Sequence, residues 1–196
     1  MRGKPLLVIC VLFVLALGVA PSAMAAEGAG GIAYEDPSAQ PAATVAAEVA
    51  QPTVAGLEAK VLENGLAAAP AAAPDAVKQA VWAANGIIGR PYRYGGGHAR
   101  GFVDRGYDCS GTVSVALHGA DVLDSPLDSS SFIRWGAAGA GDWITVYTNQ
   151  GHAYAVIAGL RLDTSAAGDP SGAKGPRWRP TLRSSRGFKA RHPVGL

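Results

Sequence analysis

Around Gly141 the hydrophobic period of this 196-residue chain changes, and that change constrains the fold more than any other feature. Before it, apolar side chains recur at helical spacing. In PDAVKQAVWAANGIIG, Pro74 and Asp75 stand at a helix start, Val77, Val81, Trp82 and Ile88 carry the period, and Gly86 or Gly89 ends it. DCSGTVSVALHGA reads as a second helix, with Asp108 at its N-cap and Val113, Ala116 and Leu117 turned inward. A loop-rich connection follows, with a helical turn expected at Ser130–Trp135. After it, DWITVYT, HAYAVIAG and LRLDTS are short, β-branched and aromatic, and are separated by Gly or Asn-Gln-Gly. They predict consecutive antiparallel strands joined by tight turns, with GFKARHP as one more. Helices first and a strand meander after predict an α+β fold with the helices packed on one face of the sheet.

The region ahead of Asp75 has a different texture. Residues 1–25 carry Arg2 and Lys4, then an apolar run too short to span and stay, then Ala23-Met24-Ala25. This is the pattern of an export signal cleaved after Ala25, with a retained anchor as the alternative. Residues 26–74 are rich in Ala, Pro and Glu and predict a linker, in which Val54, Leu57, Val61 and Leu66 offer a short ordered arm. Residues 75–196 are expected to form the single compact domain.

Losing the export segment removes Cys10 and leaves Cys109 as the sole thiol of a secreted chain. Exported cysteines usually pair, so a lone one is either a buried small hydrophobe or a reactive group. Arg2 and Lys4 account for the formal charge of +2, so the remainder is near neutral and no global field calls for nucleic acid. The charge is uneven, however. Lys174, Arg177, Arg179, Arg183, Arg186, Lys189 and Arg191 follow one another with no acid among them. They read as a basic C-terminal tail, either a solvated surface or a contact for an anionic wall polymer or lipid head groups. The glycine-rich loop RPYRYGGGHARGFVDRGYD lacks the Gly-Lys-Ser/Thr ending of a phosphate loop and does not open a βαβ unit, which argues against nucleotide binding.

Cys109 falls in the first turn of the second predicted helix, where unpaired N–H groups and the positive helix end favour a thiolate. A thiolate nucleophile needs a base held by a third group. His118 lies nine residues along the same helix, roughly 13 Å away, out of reach. His98 sits in the glycine loop and His192 in the basic run, whereas His152 opens a strand that fixes its ring. If HAYAVIAG and LRLDTS form a hairpin with an even-numbered loop, Asp163 and Arg161 share a face with His152 while Leu160 and Leu162 face the core. An odd-numbered loop brings Thr164 there instead.

The segments PYRYGGG, GYDCSGTVSVAL and GHAYAVIAGLRLDTS, spanning about Ala76 to Thr164, resemble the NlpC/P60 family of papain-like cysteine peptidases that cut peptidoglycan stem peptides. The resemblance implies a papain-like α+β fold, Cys109 as nucleophile, His152 as base, and Tyr92 with the Cys109 backbone N–H as oxyanion donors. Asp108 and Ser110 would line the substrate's approach. The family usually places a His, Asn or Gln in the third position, where this chain has Asp163 or Thr164. The implied bond is γ-D-glutamyl to diamino acid, with no metal or organic cofactor. An N-acetylmuramoyl-L-alanine amidase, an acyltransferase on the same fold and a non-catalytic wall-binding module are the alternatives.

Overall fold

A computed structural model of the chain describes residues 51–196. The expected export segment and the first half of the expected linker, residues 1–50, lie outside the described residues.

Two helices form where the period predicts them, α1 at Asp75–Asn85 and α2 at Cys109–Gly119, and a single turn, α3, covers Ser129–Phe132. Asp108 caps α2 by accepting from Gly111 N–H at 2.7 Å, and Asp128 caps α3 from Ser131 N–H at 2.7 Å. The strands that follow are β4 (Ala137–Ala138), β5 (Ile144–Thr148), β6 (Ala153–Ile157), β7 (Leu160–Asp163), β8 (Arg177–Arg179) and β9 (Lys189–His192). They build one six-stranded antiparallel sheet in the order β4-β9-β5-β6-β7-β8. The α+β class is therefore what the molecule adopts. Ile144, Val146, Ala155, Ile157, Leu160 and Leu162 join Val77 and Val81 of α1 and Val113, Ala116 and Leu117 of α2 in one core.

The β6–β7 hairpin has the even-numbered loop. Ile157 pairs with Leu160, so only Ala158 and Gly159 turn the chain, with φ of 47° and 78°. Two positive φ values make the two-residue turn whose twist matches the strands, and its register pairs Val156 with Arg161. Asp163 thus shares His152's face.

Two readings need correction. The first concerns residues 26–74, where the expected ordered arm forms but is anchored by alanines rather than by Val54, Leu57, Val61 and Leu66. Thr53–Val54 (β1), Lys60–Val61 (β2) and Ala67–Pro70 (β3) form a small sheet in the order β1-β3-β2. It docks through alanines and backbone, because Ala67 and Ala69 are fully buried whereas Leu57 is 67% exposed. A side chain no longer than Cβ lets β3 lie close to α1. There the buried Asn85 carboxamide accepts from Ala67 N–H and donates to Ala67 C=O, both at 2.9 Å, and accepts from Trp178 Nε1 at 2.8 Å. Trp82 Nε1 donates to Pro52 C=O at 3.1 Å.

The second correction concerns the basic C-terminal tail, which is not a tail. Arg177 and Arg179 belong to β8, and Lys189 and Arg191 to β9 between β4 and β5. Arg179 is fully buried, paired with Asp169 and donating to the carbonyls of Asp163 and Ala173. Arg191 donates to the carbonyls of Trp135 and Gly136. Only Lys174, Arg186 and Lys189 of the run remain on the surface. Alternation across β8 decides this, since Trp178 turns to the core while Arg179, on the other face, meets Asp169 and the carbonyls of Asp163 and Ala173.

Candidate active site

The site forms where the N-terminus of α2 meets the start of β6. What brings them together begins in the glycine loop. Gly95 N–H donates to Asp108 Oδ2 at 3.0 Å, and Asp108 N–H donates to Gly96 C=O at 3.1 Å. The loop lies so close to α2 that a Cβ on Gly111 would overlap the Gly96 carbonyl and stand 3.0 Å from Gly97 Cα. Gly97 itself has φ of 85°, in the left-handed region that favours glycine. A short parallel bridge couples Tyr92 to Tyr107, with Tyr107 N–H donating to Pro91 C=O at 3.1 Å, and sets Tyr92 beside the helix start.

Cys109 is free and buried at the first position of α2. Burial by itself pushes its thiol pKa up. Hydrogen bonds from the His152 ring and from Ala153 N–H, with the charge of the imidazolium, outweigh burial and hold the pKa below the ordinary thiol range. His152 shows the mirror image. Burial disfavours its imidazolium, but hydrogen bonds to Asp163 and Cys109 overcome this and raise its pKa to about 9. The two shifts together favour a thiolate–imidazolium pair near neutral pH.

Asp163, not Thr164, takes the third position. Its Oδ1 stands 2.9 Å from His152 Nε2 and accepts from Ser165 N–H at 2.8 Å. That commits Nε2 and leaves Nδ1 to face the thiol. Asp163 is wholly buried, which by itself would raise its pKa. Its bonds from His152, Ser165 N–H and Arg183 instead hold it below the usual carboxylate range. Thr164 is buried beside the site and lines the hollow next to His152.

Three arginines contact Asp163, two at its carboxylate and one at its main-chain carbonyl, and none stood out from sequence as a partner of this residue. Arg183 Nη1 donates to Asp163 Oδ2 at 3.2 Å while its guanidinium lies 5.2 Å from the ring centroids of both Tyr154 and Phe188. Arg179 Nε holds the Asp163 carbonyl at 3.1 Å. Arg161 is fully buried with Nε 3.8 Å from Asp163 Oδ2, and among the described residues its three nitrogens have no hydrogen-bond acceptor. Burial lowers the Arg161 pKa, and the neighbouring Asp163 charge opposes that. Arg183 lies 20 residues beyond Asp163. Its only sequence signal was membership of a basic run, which says nothing about a partner.

The other expected residues are all located. Tyr92 is 45% exposed and borders two hollows, one lined by Cys109 and the other by His152. Partial burial and the nearby Cys109 and Asp108 charges raise its pKa, so its hydroxyl stays a proton donor. Asp108 and Ser110 line the same hollow as Cys109, together with His98. Asp108 is also a structural hub, since Oδ1 accepts from Gly111 N–H and Ser110 Oγ and contacts His98 Nε2 at 3.0 Å. His98 is thereby committed to Asp108 and Ser110 rather than to the thiol. His118 stacks on Phe102 with centroids 4.1 Å apart, and His192 Nδ1 lies 3.1 Å from Gly139 C=O. Among the described residues no group of three or more His, Cys, Asp or Glu side chains is arranged to hold a metal ion.

No protein-family model and no curated protein matches this chain.

Proposed function

We propose that the protein is an exported cysteine peptidase of the NlpC/P60 kind, with a papain-like catalytic domain, that hydrolyses amide bonds in peptidoglycan stem peptides. The observation that carries this reading is the relay Cys109–His152–Asp163, in which a buried carboxylate holds the imidazole 2.9 Å away and the thiol pKa is depressed. A structural cysteine gains nothing from a helix N-terminus, a raised imidazole pKa and a charged orienting group at once.

The mechanism is acyl transfer. The Cys109 thiolate attacks the amide carbonyl carbon and forms the C–S bond as the carbonyl π electrons move to oxygen. The Tyr92 hydroxyl and the Cys109 backbone N–H donate to that oxyanion. The His152 imidazolium, through Nδ1, protonates the amine as the C–N bond breaks. His152, now neutral, takes a proton from water, whose oxygen attacks the thioester, and the acid and the thiolate are released. Asp163 keeps its proton balance throughout and fixes the ring. The expected bond is γ-D-glutamyl to diamino acid, and no cofactor enters the scheme.

The test is mass spectrometry of purified muropeptides incubated with the protein and with Cys109→Ala. The reading expects a dipeptide fragment from the wild type alone. Separated glycan and intact stem peptide would make it an amidase. No product, with Cys109 inert to iodoacetamide near neutral pH, would leave a wall-binding module.

A further inference from the structure

Catalysis by Cys109 and His152 assigns the two sides of the cleft. The departing amine must receive its proton from His152, so the residue that leaves with that amine occupies the His152 side. The acyl part occupies the other. The hollow on the His152 side, about 330 Å³, is lined by Tyr92, His152, Thr164, Ser165, Ala166 and Lys174. Besides His152, Lys174 is its one basic side chain, and no acid lines it. The hollow lined by Cys109, about 370 Å³, has Asp108, Asp128 and His98 in its lining and neither lysine nor arginine. The hollow that His152 lines is therefore basic, whereas the hollow that Cys109 lines carries two carboxylates.

Lys174 is exposed, yet the backbone on both sides of it is tied down. Ala173 C=O accepts from Arg179 Nη2 at 2.8 Å, and Arg179 is itself fully buried. Gly175 N–H donates to Thr164 C=O at 3.1 Å. Gly175 has φ of 92°, and a Cβ there would overlap the Arg90 carbonyl and stand 3.1 Å from Tyr92 N. One neighbour is thus anchored to the buried arginine and the other to both walls of the hollow. Among the described residues Lys174 has no acidic partner within ion-pair distance.

The geometry points to Lys174 as the residue that selects the leaving group by charge: the amine is released from a residue that carries a free carboxylate rather than a carboxamide. The inference rests on the cysteine hydrolase reading. An ammonium is a compact point charge with three rotatable donors and pairs with a carboxylate in any orientation the hollow allows. A neutral carboxamide gains much less from it, and a cation is repelled.

The test uses two synthetic stem peptides identical except for carboxylate or carboxamide on the leaving residue. Wild type should favour the carboxylate by about fivefold in kcat/KM, chiefly through KM, the range of an exposed ion pair. The preference should shrink as salt is raised from about 0.05 to 0.5 M. Lys174→Met should cleave both peptides alike and Lys174→Glu should favour the carboxamide. Both variants should keep the wild-type alkylation rate of Cys109, which shows an intact catalytic pair. Equal cleavage of the two peptides by wild type, or an undiminished preference in Lys174→Met, overturns the role of Lys174 and leaves the hydrolase standing. Cleavage of neither, with an unreactive Cys109, overturns the hydrolase reading and this inference with it.

Discussion

Replacing Asp163 by Asn should uncouple the site while leaving its shape. Against burial that pulls the other way, the Asp163 carboxylate and the Cys109 sulfur together raise the His152 pKa from its ordinary 6.5 to about 9. At about 1.4 kcal/mol per pH unit, this favours the folded imidazolium by on the order of 3 kcal/mol. In Asp163→Asn only Cys109 still opposes burial, so the His152 pKa should fall well below that of the wild type, toward its ordinary 6.5. The Cys109 thiol should then move up toward the ordinary thiol range, and kcat/KM at pH 7 should fall roughly a hundredfold. Stability follows the same linkage. A His pKa raised on folding contributes fully below pH 6.5, and the contribution is lost as pH rises through about 9. The depressed Asp163 pKa contributes above the ordinary carboxylate value of 3.8, and is lost as pH falls through its lower folded value. The stability gap between wild type and variant should be widest between about pH 4 and 6.5 and should narrow by pH 10. NMR titration of the His152 ring, the pH dependence of iodoacetamide alkylation and denaturant melts read these effects without any substrate. A variant whose His152 still titrates near 9, or a stability gap that stays constant to pH 10, would refute the assignment of Asp163.

Tyr92→Phe should lower kcat/KM about a hundredfold if the hydroxyl serves the oxyanion, with an unchanged melting temperature because the side chain is 45% exposed; a loss below threefold would remove it from the mechanism. Asn85→Leu leaves Ala67 N–H, Ala67 C=O and Trp178 Nε1 without their partner in the core, and should cost about 3 kcal/mol by urea denaturation at little cost to the folded enzyme's activity. Gly111→Ala should gain about 1 kcal/mol from helix propensity and still be destabilising by about 2 kcal/mol net, because its Cβ overlaps the Gly96 carbonyl. Thermal unfolding and a slower Cys109 alkylation rate would report that Gly111→Ala displaces the helix start.

The sequence by itself determined those parts of the molecule that depend on neighbours in the chain. Periodicity placed α1 and α2, and the acid before the cysteine marked the cap that puts Cys109 at a helix N-terminus. Strand parity narrowed the third residue to Asp163 or Thr164, and the two-residue turn in the folded hairpin chose Asp163, because a register fixed by a tight turn carries side-chain direction along both strands. Tertiary structure alone decided the rest, where the energetics come from partners far apart in the chain. Alanine looks like linker material until a helix face is there to receive it, and β3 becomes a core strand only against α1 and the Asn85 amide. A run of basic residues looks like a solvated tail until buried acceptors appear. Arg179 is drawn inward by Asp169 and the Asp163 carbonyl, and Arg183 by Asp163, a buried carboxylate that is stable only with countercharge beside it. Lys174 reaches the rim of the cleft for the same reason: its loop is tied down by an arginine whose burial no local pattern announces.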